Sequence, residues 1–223
     1  AVVLMLMIPK PAQRLSKGHQ TWETISGGFR FIWSEKVVLG AISLDLFAVL
    51  LGGAAALLPV YARDILDVGP FGLGALRSAM AVGAIVVGGI LILRPINRHA
   101  GHIMFAAVFA FGVFTLVFAL STTVWISVVA LTLMGACDMV SVYVRGMLVQ
   151  LWTPDEVRGR VNAVNGVFVG ASNEVGGFRA GTMAALIGPV AAVAVGAVGT
   201  LAVTGLWMWA FPALRRINHL TRA

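Results

Sequence analysis

Six stretches of this sequence are long, apolar and almost free of charge, and they leave few folds open. They run near Val37–Tyr61, Leu73–Leu93, Ile103–Leu120, Val124–Leu151, Val161–Leu186 and Val190–Phe211. Each has about 18 residues or more, enough to cross roughly 30 Å of hydrocarbon as a helix. Strands are excluded because the runs lack a two-residue alternation. Lipid also offers no partner for an unpaired backbone group, and a helix satisfies its own. The chain is 59% hydrophobic and 11% charged, with a mean hydropathy of +0.94. Soluble domains average about 45–50% and about 25%, and a soluble core of 223 residues could not hide these runs. The sequence predicts an all-α membrane protein, with a bundle of six transmembrane helices over residues 37–211.

The flanks read differently. "AVVLMLMIPKP" is apolar but too short to span, and it lacks the basic start and small-residue cleavage site of a signal peptide. Ala1–Ile8 is expected to be the tail of a preceding transmembrane helix, which makes the sequence a fragment. Residues 9–36 read as a cytoplasmic linker carrying an amphipathic interfacial helix. Trp22, Ile25, Phe29, Ile32 and Trp33 recur at helical spacing, and tryptophans suit the headgroup level. Gly27 and Gly28 argue against an unbroken helix there. Residues 212–223 read as a cytoplasmic tail.

Orientation follows from the loops. One side receives Lys10, Arg14, Lys17, Arg30, Lys36, Arg94, Arg98, Arg158, Arg160, Arg215, Arg216 and Arg222, and the other only Arg63. The first side is therefore expected to be cytoplasmic. A net charge of +7 placed in this way fits anionic lipid and topology rather than nucleic acid, since no basic stripe carries interleaved aromatics. Cys137 is the single cysteine, inside a span, and reads as a small core residue. His19, His99, His102 and His219 all fall in predicted loops. No metal-ligand spacing is present, and nothing in the sequence asks for a cofactor. In the turn "TPDEVRGRV", Thr153, Pro154 and Glu156 have the spacing of a capped helix start.

The remaining ions lie inside the spans. The first carries Asp45, the second Arg77, the fourth Asp138 and Arg145, and the fifth Glu174 and Arg179. The third and sixth carry none. A charge facing lipid costs several kcal/mol at the centre of a helix. Spans one, two, four and five should therefore turn toward protein or water, and three and six can sit outside. Charged, charged, uncharged, twice over, is the pattern of an inverted 3+3 repeat. Small residues every four positions, such as Ser172, Gly176, Ala180 and Ala184 or Ala192, Gly196, Thr200 and Thr204, let helices approach closely.

Spacing sorts these ions into candidates. Asp138 and Arg145 are seven apart and share a face, with Ser141 between them. Asp45 and Arg145 lie at similar depth, and are the candidates for a structural ion pair. Asp138 and Glu174 lie about halfway along their spans, and are the candidates for proton coupling as access alternates. Glu174 and Arg179 diverge by about 140° around their helix and cannot pair on one face. Asn165, Ser172 and Arg179 follow at seven-residue steps and form a polar stripe. With Arg77 they are candidates for substrate contact or gating, Arg77 and Arg179 as attractors of an anionic or catecholate-like group or as gates of the outer side.

Four stretches, "SLDLFAVLLGGAAALLPVYARDIL", "GPFGLGALRSAMAVGA", "TPDEVRGRVNAV" and "SNEVGGFRAGTMAALIGPVAAV", carry a resemblance. In this order the sequence resembles the C-terminal half of major facilitator superfamily exporters, in the enterobactin-exporter-like branch. The resemblance covers nearly the whole chain. It implies a multi-pass exporter in a bacterial inner membrane, working by alternating access and driven by proton antiport. It places Asp45, Arg77, Glu174 and Arg179 at motif positions without giving their roles. It also implies a missing N-terminal half, or a second copy, to complete the path for a small-molecule substrate such as a siderophore or drug. The alternative is a non-transporting scaffold or sensor that uses its interior ions only for folding. No nucleophile–base pair or histidine within a span supports an intramembrane enzyme.

Overall fold

The computed structural model describes residues 22–96 and 98–218. The readings of Ala1–Ile8, of the linker up to residue 21 and of the tail beyond Asn218 lie outside the described residues. The described chain is helical throughout. Helix α1 is Trp22–Ser34, α2 is Lys36–Gly52 and α3 is Ala54–Val60, which continues as a π-helical turn over Tyr61–Ile65. Then come α4 (Gly69–Leu93), α5 (Ala100–Leu120), α6 (Val124–Trp152), α7 (Asp155–Ile187), α8 (Pro189–Ala210) and the short α9 (Pro212–Arg215).

Five of these rods are long and apolar enough to cross a membrane: Lys36–Ile65, α4, α5, α6 and α8. The sixth expected span falls within α7, which is long, at 33 residues, but less apolar. Asn162, Asn165, Ser172, Asn173, Glu174 and Arg179 explain the difference. At 1.5 Å per residue α7 is about 50 Å long, so it runs straight from the basic loop into the bundle. The expected capping box does not form. Helix α7 starts at Asp155 with no side-chain cap, and Thr153 Oγ1 is buried without a hydrogen-bond partner. Arg158 holds the turn instead, donating from Nη2 to the Thr153 carbonyl at 3.2 Å and pairing with Asp155.

Glycine sets the closest approaches. Gly83 of α4 faces the carbonyl of Thr132 on α6, and Gly135 of α6 faces the carbonyl of Met80 on α4. A Cβ at either position would overlap backbone, so the two helices interlock through reciprocal gaps. Gly83→Ala should therefore cost about 1–3 kcal/mol of stability, as overpacking does, measured as a lower thermal midpoint in detergent. Gly74→Ala on the same helix meets nothing within 4 Å and should be neutral or slightly stabilising. Gly28 lies against the backbone of Arg160, 2.9 Å from where its Cβ would be. The Gly27–Gly28 pair thus brings α1 onto α7 and does not break α1, contrary to the expectation from helix propensity. Ile32 of α1 is buried with Val38, Ile42, Val149 and Val161.

Among the transmembrane rods, α6 packs on α4 and α5, as α2 packs on α7 and α8. Ala192, Gly196, Thr200 and Thr204 of α8 are all buried, and so are Ser172, Gly176 and Ala180 of α7. The segment after α8 folds back: Leu214 and Ile217 are buried beside Ala100 and Met104 of α5.

Candidate functional site

The interior ions divide into three settings. Asp45 is 4% exposed and Arg145 6%. Arg145 donates from Nη1 to Asp45 Oδ2, and Ser141 Oγ donates to Asp45 Oδ1 at 3.3 Å. Helix periodicity explains the set, since positions 141 and 145 lie one turn apart on the face of α6 that meets α2. Both oxygens of the buried carboxylate are engaged, as burial of a charge requires.

The second setting is a break in the first rod. Helix α2 ends at Gly52, and Gly53 adopts φ +51°, a left-handed conformation that glycine takes at little cost. The break frees carbonyls at the end of α2, and Arg179 of α7 takes them. Its Nε donates to the Leu50 carbonyl at 3.1 Å and its Nη2 to that of Leu51. A cation is favoured at this end of a helix, where the carbonyl dipoles converge. Three glycines admit the guanidinium. A Cβ on Gly53 would come within 3.1 Å of Arg179 Nη2, one on Gly196 within 3.0 Å, and one on Gly176 within 3.1 Å of the Leu50 carbonyl. The sequence stripe containing Arg179 thus points at backbone. Ser172 is buried and donates to the Val169 carbonyl at 3.0 Å. Asn165 is half-buried, with its Oδ1 enclosed and without a partner.

The third setting is a cavity of about 140 Å³ beside the break. Its polar side chains are Asp138 of α6 and Asn173 of α7, and Gly53–Ala56 form another wall. Asp138 has no ion-pair partner among the described residues. It also borders a second space of about 10 Å³, which reaches Asp45, Ser141 and Cys137. That is close to what one water molecule needs. Asp138 therefore separates a larger chamber from the buried Asp45–Arg145 pair. Asn173 escaped the sequence reading because it lies one position off the seven-residue stripe. Its adjacency to Glu174 in "SNEV" was the available signal.

Arg77 and Glu174 stand apart from these three settings. Both are exposed, on the faces of α4 and α7 that nothing in the described chain covers. The cavity does not bring them together with Asp138.

Comparison with known proteins supplies the family. The family described as transmembrane secretion effector, within the major facilitator superfamily, matches residues 2–221. The chain belongs to it. No curated protein and no solved structure matches. As a member of this secretion effector family the chain is a multi-pass membrane transporter and not an enzyme.

Proposed function

We propose that this chain is one half of a proton-coupled secondary exporter, moving siderophores, drugs or similar small amphiphiles across a bacterial inner membrane by alternating access. The observation that carries this reading is the chamber beside a broken helix, with the Asp138 carboxylate in its wall. Discontinuous helices at the middle of the membrane are where transporters bind substrate and coupling ion. Asp138 takes up a proton when the chamber faces one side and releases it on the other. Asn173 offers a neutral hydrogen-bonding group to the substrate.

Helix α7 serves as the sixth span, its polarity explained by water on one side. The packing relations support an inverted 3+3 repeat, because exchanging the two triplets of rods turns the α2 pairings into the α6 pairings. The exposed faces with Arg77 and Glu174 turn toward a complementary half, supplied by the same polypeptide or by a second copy. There Glu174 joins proton coupling, and Arg77 meets the anionic part of the substrate. Arg179 acts at the gate through the helix break.

Reconstituted in proteoliposomes with an imposed pH gradient, the Asp138→Asn variant should lose gradient-driven efflux by about tenfold or more, the scale of a lost general acid–base group. Its exchange of substrate without a gradient should persist. Glu174→Gln should impair driven export in the same way while leaving membrane insertion intact. Gradient-driven transport by Asp138→Asn at the wild-type rate would remove this carboxyl from the mechanism.

A further inference from the structure

Two basic segments far apart in the sequence are fixed side by side at one end of the bundle. One is the α4–α5 connection, with Arg94, Arg98 and His99, followed by His102 in the first turn of α5. The other is the segment after α8, with Arg215 and Arg216. Their docking is specific. The Gly101 N–H donates to the Ile217 carbonyl at 3.2 Å, and a Cβ on Gly101 would collide with the carbonyl of Leu214 and lie 3.0 Å from that of Arg215. Leu214 and Ile217 anchor the segment by burial against α5. The rings of His99 and His102 sit 6.4 Å apart, both exposed.

This corner is uncompensated. Arg94, Arg98 and Arg216 are exposed and Arg215 is half-buried. None of the four has an ion-pair partner among the described residues. The sequence holds no Asp or Glu between Asp67 and Asp138, and none after Glu174. Close in sequence to the charges, at the ends of two membrane-crossing rods, stand large exposed apolar side chains: Ile92 and Leu93 before Arg94, each 82% exposed, and Trp209 before Arg215, 80% exposed.

We infer that Arg94, Arg98, Arg215 and Arg216, with His99 and His102, bind the phosphate of an anionic phospholipid, whose acyl chains lie along Ile92, Leu93 and Trp209. Charge alone would suit any phosphate. The apolar wall next to it selects an amphiphile, with the headgroup at the arginines and the tails in the bilayer. The site is a lipid contact at the rim, separate from the chamber that holds Asp138, and it stands whether or not the exporter reading does.

Native mass spectrometry of the purified protein in detergent, titrated with phosphatidylglycerol or phosphatidylcholine, tests this. Phosphatidylglycerol should bind about tenfold tighter or more, given several arginines near one headgroup. Raising the salt from on the order of 0.05 M to on the order of 0.5 M should reduce that preference. The variant R94Q/R98Q/R215Q/R216Q should lose it, while binding of phosphatidylcholine stays. If that variant does not insert, R94Q/R98Q and R215Q/R216Q made separately should each lose about threefold. Equal binding of the two lipids by the wild-type protein would overturn the inference. So would a preference that survives in the variants. Displacement of phosphatidylglycerol by inorganic phosphate at matching concentration would assign the corner to a soluble anion.

Discussion

Arg145→Leu should destabilise the protein by about 3–5 kcal/mol, the range found when one partner of a buried ion pair is removed. The cause is what stays behind. Asp45 is almost fully enclosed, and without the guanidinium its carboxylate keeps only the Ser141 hydroxyl. The adjoining space has room for about one water molecule, and a single neutral water does not supply the lost positive charge. The double variant Asp45→Leu/Arg145→Met should recover most of the loss, since apolar residues of similar volume can substitute for a whole buried pair. Thermal midpoints in detergent for Asp45→Leu, Arg145→Met and the double variant form the cycle that isolates the pair. A double variant as unstable as Arg145→Leu alone would show that packing at these positions, and not the stranded charge, governs stability.

Arg179→Met should cost a similar amount, about 3–6 kcal/mol, from two lost hydrogen bonds of a charged donor at about 1.5–3 kcal/mol each. Methionine preserves the bulk of the side chain and leaves the Leu50 and Leu51 carbonyls without their donor. Arg179→Lys should recover only part of this, because an ammonium group lacks the planar fork that reaches two carbonyls at once. The break should also loosen. A cysteine placed at Ala55, in the chamber wall next to Gly53, should react faster with a water-soluble thiol reagent in Arg179→Met than in the parent. Wild-type stability together with unchanged labelling would mean that the clamp does not hold the joint.

Much of the fold is legible in the sequence because lipid makes the decision locally. A run such as Ala100–Leu120 has one way to satisfy its backbone. The stripes of small residues on α7 and α8 likewise announce the faces that pack. The Asp45–Arg145 pairing is legible from depth, and the Ser141–Arg145 face from periodicity. The target of Arg179 is not. Two glycines at 52 and 53 permit a break without requiring one, and only tertiary packing decides that the freed carbonyls meet a guanidinium from α7. Helix propensity misleads at Gly27–Gly28 for a related reason, since the room that glycine leaves for Arg160 outweighs its intrinsic cost. The exposure of Arg77 and Glu174 was illegible because the outward face of a helix depends on its neighbours, and hydropathy along one strand of sequence carries no record of them.

The chamber's lining splits cleanly. Met80, Phe111, Met134 and Asp138 come from α4, α5 and α6, which the reciprocal glycines and apolar packing bind into one slab. Val49, Gly53–Ala56, Asn173 and Gly177 come from α2, α3 and α7, fastened to each other by the Arg179 clamp. The void thus lies on a seam. The buried Asp45–Arg145 pair, reaching from α2 to α6, crosses the same seam and ties the two slabs together beside the void.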